Sequence, residues 1–445
     1  MELSMSMSAD VSDQQSSHSH PRRLFRTASY RWWFAADTSS ALGGSVTSYA
    51  FPLIVLALTG SPAKASLMGS IAMIVSATCE LSGGSLQDAM DRRKLLVING
   101  VAGLLIYSWA CLFLYFDWFT FTAAIILAIL QGLRSGLTGG VSNLLLRDVV
   151  PSEQLPQAMA VNQGRDAAIE FGGAPVGGLL LGISRVFPFL TTAILALIQT
   201  LSAWRLKGSF APPPSEKSPI SISGLFDGFR WILSSRLMRI IVFAGNPVFS
   251  LFNAAILITI MELVTQGSSE TEAGFINTAA AVGVFLGSLL VSVLLPRVRG
   301  GVLTLIAFAL PVVCVLAMSA TTGLVWKLVL LVPALLLLPA GNSAMGAFQM
   351  LAMPKAVMGR AFASMGIYES LVGAAITALA GIGLQTLGYQ TTMIIMGSLM
   401  ALLFLPLLFS SEVRDIPLSD RRPYRSGYRG LWCADDADEA KPAPH

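Results

Sequence analysis

Charge is scarce in this chain. Only 12% of its 445 residues are Asp, Glu, Lys or Arg, where a soluble domain carries roughly 25%. A soluble fold of this length needs far more polar side chains to cover its surface, so that class is excluded. Histidine is almost absent, and His18, His20 and His445 all stand in polar terminal stretches. That rules out a Ser/His/Asp catalytic set and leaves His18 and His20 in a solvated tail rather than a metal site. Four cysteines, Cys79, Cys111, Cys314 and Cys433, show no CxxC spacing. Three of them fall in apolar runs, which reads as buried thiols and not as disulfide or zinc ligands. No Gly-x4-Gly-Lys-Ser/Thr loop occurs, so ATP is not the energy source encoded here. The first thirty residues contain no apolar core and form no cleavable secretory signal. A net charge of +4 suggests neither nucleic acid nor an acidic partner.

Hydrophobicity is what the chain has in quantity. Apolar residues make up 54% of it, and the mean hydropathy is +0.68. Apolar runs long enough to cross a bilayer alternate with short polar hinges. They lie near 32–58, 65–88, 95–115, 120–146, 158–183 and 187–205, then 239–264, 272–296, 301–320, 326–351, 361–385 and 390–410. The expected fold is an all-α polytopic membrane protein of twelve transmembrane helices in two six-helix bundles. Its parts are a polar, disordered tail at 1–30, a bundle at 31–206, a linker at 207–237, a second bundle at 238–411 and a polar tail at 412–445. The linker places Leu225, Phe226, Phe229, Trp231 and Ile232 among Arg230 and Arg236, a mixture that suits an interfacial helix.

Basic residues orient the chain. With both termini and the linker in the cytoplasm, 24 of the 29 Lys and Arg residues fall on the inner side and 3 on the outer. That bias is the positive-inside signal of a multi-pass protein of the cell membrane. Internal duplication supports two halves. Pro151, Ala158 and Ala160 after span four match Pro354, Ala361 and Ala363 after span ten, and Gly84-Ser-Leu86 echoes Gly287-Ser-Leu289. Parallel repeats of this kind belong to transporters that rock two bundles about a midplane site.

The run Gly84-Ser-Leu86-Gln-Asp88-Ala-Met-Asp91-Arg92-Arg93-Lys94 resembles the signature loop of the major facilitator superfamily between spans two and three. Asp91 before the basic pair, Asp148-Val-Val-Pro-Ser-Glu-Gln-Leu155 and Leu225-Phe-Asp-Gly-Phe-Arg230 are similar to the branch containing macrolide-efflux and enterobactin-exporter proteins. The resemblance covers roughly 24–410. It departs from the pattern at Ala89, where an arginine is usual, at Pro175, displaced by one position, and before Gln131, where span four lacks the antiporter arginine. The resemblance implies a cytoplasmic gate of Gly84, Leu86, Asp88, Arg92, Arg93 and Asp148. Asp88 would accept from the N-terminus of span eleven, and Arg92 would pair with Asp148. The plainer alternative is positive-inside anchoring.

Charges within spans are the second signal, because each costs about 2.5–3.5 kcal/mol unless it faces protein or water. Asp37, Glu80, Arg134, Arg165, Asp166, Glu170 and Glu369 form this set, an excess of acid that favours protonation or a cationic ligand. Arg134 and Glu170 both fall near the midplane and are expected to pair, with Asp166 as second acceptor; either a transport site or a structural ion pair would use that geometry. Asp37, Glu369 and the span-seven amides Asn246 and Asn253 complete the candidate coupling and substrate residues, the asparagines serving a ligand or a neighbouring helix. The expected function is proton-coupled export of a small amphiphilic compound by a monomer that needs no cofactor, no metal and no nucleic acid. Uptake by symport and a non-transporting membrane partner or sensor are the alternatives.

Overall fold

The computed structural model describes residues 21–151, 154–208, 210, 222–294, 297–343, 345 and 355–410. Within these residues the chain is helical, without strands. Seven helices make the first half: α1 (Ala28–Thr59), α2 (Pro62–Ala89), α3 (Arg92–Tyr115), α4 (Phe121–Thr138), α5 (Val141–Val149), α6 (Leu155–Ile183) and α7 (Phe187–Arg205). The connecting helix α8 (Ile222–Ser234) leads to α9 (Arg236–Ile240), which runs through one π-helical turn, Ile241–Gly245, into α10 (Asn246–Thr265). Then follow α11 (Glu270–Leu294), α12 (Gly300–Ser319), α13 (Leu324–Leu336) and α14 (Lys355–Phe409).

Ten of these stretches are long and apolar enough to span a bilayer. Helix α2 adds another: its 28 residues reach roughly 42 Å at 1.5 Å per residue, well over the hydrocarbon thickness. It is less apolar because its faces are covered by protein, α4 on one side and α14 on another. Helix α14 is two spans in one continuous run. Gly388, at φ 77° and ψ 170°, breaks it between two limbs in a backbone conformation that suits glycine and few other residues. Spans four and seven are each interrupted once, at Gly139–Gly140 and at the π turn. The described residues thus account for the twelve expected spans, the tenth as far as Ser343.

Several sequence boundaries move. The polar tail expected over 1–30 gives way to structure at 21–30, where Pro21–Arg26 forms a 3₁₀ helix and α1 begins at Ala28. The reason is apolar: Leu24 and Tyr30 are buried with Trp33 in a local core. Within the 207–237 linker, α8 packs on the first limb of α14, where Gly228 lies against the Arg360 carbonyl. Trp231 and Ile232 are buried there, while Phe226 points outward. Residues 1–20, 209, 211–221 and 411–445 fall outside the described residues.

Small residues decide which helices touch. In α4, Gly132 and Gly136 face the Ala72 and Ser76 carbonyls of α2. In α11, Gly283 and Gly287 face the Val332 and Leu336 carbonyls of the tenth span. Lipid gives helices no hydrophobic reason to associate, so backbone approach at such positions carries the packing. The cores are distributed unevenly. One large core near the end away from the termini draws on both halves, including Tyr49–Leu56, Val248–Leu263 and Ala380–Met400. Toward the end that holds the start of α1 and the end of α14 it gives way to two separate cores, one within each half.

A test of this packing is direct. Gly287→Leu should lower the melting temperature of the detergent-purified protein by an amount equivalent to about 1–3 kcal/mol of overpacking. Gly164→Ala, where an added methyl meets nothing within 4 Å, should be neutral or mildly stabilising. Equal melting of both variants would contradict the assigned contact.

Candidate functional site

A cavity of about 250 Å³ lies between the halves, walled by α1 and α6 on one side and by α10, α11 and the tenth span on the other. Its polar groups come from Ser45, Ser48, Glu170, Asn253 and Asn277; Phe249, Phe252 and Ile256 supply much of the apolar wall. The Ser48 hydroxyl donates to the Ser45 carbonyl at 3.0 Å, and Asn253 Nδ2 donates to the Phe249 carbonyl at 3.0 Å. Glu170 is exposed to the cavity and, among the described residues, has no basic side chain in ion-pair reach.

Bonds between the halves close this cavity on the side away from the termini. The Tyr49 hydroxyl donates to the Glu270 carbonyl. Thr278 donates to the Phe171 carbonyl at 3.1 Å, and the Gly274 and Gly178 backbones press against the opposite helix. Along the second seam, Ser61 donates to Gln385 at 2.5 Å and Ser70 to the Ala374 carbonyl at 2.7 Å. These contacts run from the far end to about mid-bundle. Beyond them lie the two separate cores, with the cavity between.

The expected Arg134–Glu170 pair is not formed. Arg134 lies over the Tyr107 ring at 5.6 Å and packs on Gly103, both in α3. Spans four and five follow each other in sequence without packing together: α4 packs chiefly on α2, while α6 packs on α1 and α11. Asp166 therefore has another partner. Arg165 Nη2 lies 2.6 Å from Asp166, and Nη1 lies 2.5 Å from Asp37. The Ser142 hydroxyl donates to the other Asp37 oxygen, and the guanidinium stacks over Phe34 at 5.5 Å. One arginine thus ties α6 to α1, and through Asp37 to α5.

Arg92 and Asp148 do come together, with Nη1 at 2.9 Å from Oδ2. Both lie in the first half, so their bond staples α3 to α5 and does not cross between halves. Asp91 caps α3 by accepting from the Arg93 and Lys94 amides, and also accepts from Phe210 N–H at 2.9 Å. Arg93 donates to the Trp204 carbonyl at 2.6 Å, fastening α7. Gly84 and Leu86 lie on α2; the Asp88 side chain, with its expected contact to span eleven, falls outside the described residues. Asn253 lines the cavity, whereas Asn246 and Glu369 do not.

Several residues emerged only in three dimensions. Arg165 stood in the sequence as one charge among seven, and its neighbour Asp166 was the available signal of a pair. Asn277, Ser45, Ser48 and Tyr49 carried no motif at all. The ion cluster makes its own prediction. Asp37 and Arg165 have side chains only 16% and 10% exposed, so Arg165→Gln strands a buried carboxylate and should cost about 3 kcal/mol of stability. Thermal unfolding in detergent should show the Asp37→Asn/Arg165→Gln double variant regaining much of that loss. A double variant as unstable as the sum of its singles would refute the pairing.

Comparison with known proteins adds an independent line. The Major Facilitator Superfamily matches residues 34–378. The multidrug efflux pump Tap of Mycolicibacterium fortuitum is 24% identical over 416 residues, covering 87% of this chain and 97% of that protein. The multidrug efflux pump Tap of Mycobacterium tuberculosis (strain ATCC 25618 / H37Rv) is 25% identical over 324 residues, covering 65% of this chain and 74% of its own length. Among solved structures, the nucleoside transporter NupG has a TM-score of 0.66 at 13% identity, over 86% of this chain and 98% of that one. A bacterial homologue of the iron transporter ferroportin in an inward-facing state has a TM-score of 0.65 at 14% identity, over 85% and 98%.

Proposed function

Because the chain belongs to the Major Facilitator Superfamily and is a secondary transporter, not an enzyme, we propose that it exports small amphiphilic compounds from the cytoplasm by proton-driven alternating access. The observation that carries this reading is the cavity around Glu170, sealed on one side by inter-half bonds and flanked on the other by two independent cores. Apolar walls with a few convergent polar groups suit a compound that partitions partly into lipid. The relatives named multidrug efflux pumps support the outward direction.

The basic-residue bias supports cytoplasmic termini and a place in the cell membrane. The open side of the cavity then faces the cytoplasm, where cargo enters. Export requires breaking the outer bonds, Tyr49 to Glu270 and Ser61 to Gln385, while the inner ends approach. Each is an ordinary hydrogen bond of about 0.5–1.5 kcal/mol net, a set weak enough for a ligand or a proton to shift. Glu170 supplies the exchange. A carboxylate without a cation beside it binds either a proton or a substrate, and loading one displaces the other. Arg92–Asp148 and Arg165–Asp37 keep the first half rigid during this motion.

Everted membrane vesicles test the proposal with ethidium as the probe. An imposed proton gradient should drive ethidium inward, and its addition should dissipate part of a preformed gradient. Glu170→Gln should reduce the energised initial rate about tenfold, the loss of roughly one charge interaction of 1.4 kcal/mol, at unchanged protein abundance. Gradient-independent transport would remove the proton from the mechanism, and a wild-type rate in the variant would remove Glu170. Accumulation in right-side-out vesicles under the inward proton gradient would favour symport instead.

A further inference from the structure

A second cavity, of about 270 Å³, lies on the far side of the Tyr49 bond. The same four helices wall it, α1 through Leu53 and Leu56, α6 through Leu181, α10 through Val264 and α11 through Glu270, with Arg185 added from the turn that follows α6. The central cavity uses Ser48 of α1, Ala174 of α6, Ile256 of α10 and Asn277 of α11. Along every one of these helices the two linings are separated by about one to two turns, roughly 7–12 Å. The cavities are therefore stacked on one path. Between them stands a thin layer, the Tyr49 ring and the Gly178 backbone against the Glu270 carbonyl.

Charge distinguishes the two chambers. Among the described residues, Glu170 is the single ionisable one lining the central cavity. The outer one carries the half-buried Glu270 and the exposed Arg185, and no ion pair joins them among the described residues. Neighbouring Glu272 spends its carboxylate on the Ser269 amide, capping α11, whereas Glu270 makes no such bond with its side chain. A molecule crossing both chambers meets a carboxylate in each. An anion would be repelled at Glu170 before it reached Arg185. A cation is attracted first by a lone carboxylate, then by a carboxylate offset by a guanidinium.

We propose that the outer cavity is a release subsite for an amphiphilic cation, which passes from Glu170 across the Tyr49 layer to Glu270 and is then expelled because Arg185 weakens its hold. The inference rests on the export reading and adds the charge of the cargo and the order of its sites. Its physical logic is a descending affinity: the central chamber is net negative, the outer one net neutral, and both have apolar walls for the rest of the molecule. Tyr49 makes release conditional, since its hydroxyl is bonded to the backbone of the very residue that receives the cation.

The test uses everted vesicles containing the full chain, in which the outer cavity faces the lumen. Vesicles are preloaded with rising ethidium, and the concentration that half-inhibits proton-driven ethidium entry is measured. Arg185→Gln should lower that concentration about fivefold, the effect of removing one like charge some 8 Å away at intermediate dielectric. Glu270→Gln should raise it by a similar factor, and Arg185→Lys should restore wild-type behaviour. The half-saturating concentration on the outer vesicle face should move with Glu170→Gln and far less with either lumen-side variant. Unchanged lumenal inhibition in both Arg185→Gln and Glu270→Gln, at normal abundance, would overturn the release subsite while leaving export standing. If wild-type vesicles move uncharged N-phenyl-1-naphthylamine but not ethidium, the cation assignment falls. Failure to move either probe defeats the export reading itself.

Discussion

Inside a bilayer, two helices gain little by hiding apolar side chains from each other, because lipid is equally apolar. What holds the halves of this protein together is close backbone approach at a few small residues, with hydrogen bonds set beside them. Gly178 and Gly274 let α6 and α11 meet, and the Tyr49 hydroxyl reaches a backbone carbonyl at that point. Gly381 does the same for the first limb of α14 against Ser66 of α2, next to the Ser61–Gln385 and Ser70–Ala374 bonds. Everything else about the molecule's opening follows from where this seam lies. It occupies one end, the shared core gathers there, and the opposite end resolves into two separate cores.

The charges obey a related economy. The ion pairs seen among the described residues each lie within one half: Arg165 with Asp37 and Asp166, Arg92 with Asp148. These pairs stiffen the first half without obstructing movement against the second. Glu170 stands apart from such pairs, in the cavity between halves, where a carboxylate can exchange one cation for another. The proposed exchange uses both arrangements, rigid bodies made by satisfied ions and, between the halves, a carboxylate set apart from them.

Much of the fold was legible because hydrophobic length and basic-residue bias are nearly one-dimensional properties. Each span had to be long enough to cross the lipid, so α3, α7 and α12 fall almost where the apolar runs placed them. The Arg92–Asp148 pair was also accessible, since both residues belong to recognisable patterns near span ends. The Arg134–Glu170 pair was inferred from equal depth in consecutive spans. It failed because depth is a one-dimensional coordinate while adjacency depends on packing; α6 turns toward α1 and α11, and α4 toward α2.

Twelve spans, their two-fold grouping, the family and the list of membrane-buried charges were determined by the amino-acid sequence itself. A bilayer imposes length, polarity and topology on the chain locally, one segment at a time. The tertiary structure alone decided which charge met which, that Arg165 rather than Arg134 is the hub, and that Asn277 and Ser45 line the central cavity while Tyr49 closes it. Those outcomes depend on helix rotation and neighbour choice. Both are set by where glycines allow backbones to touch, a property shared between two helices and written in neither one alone.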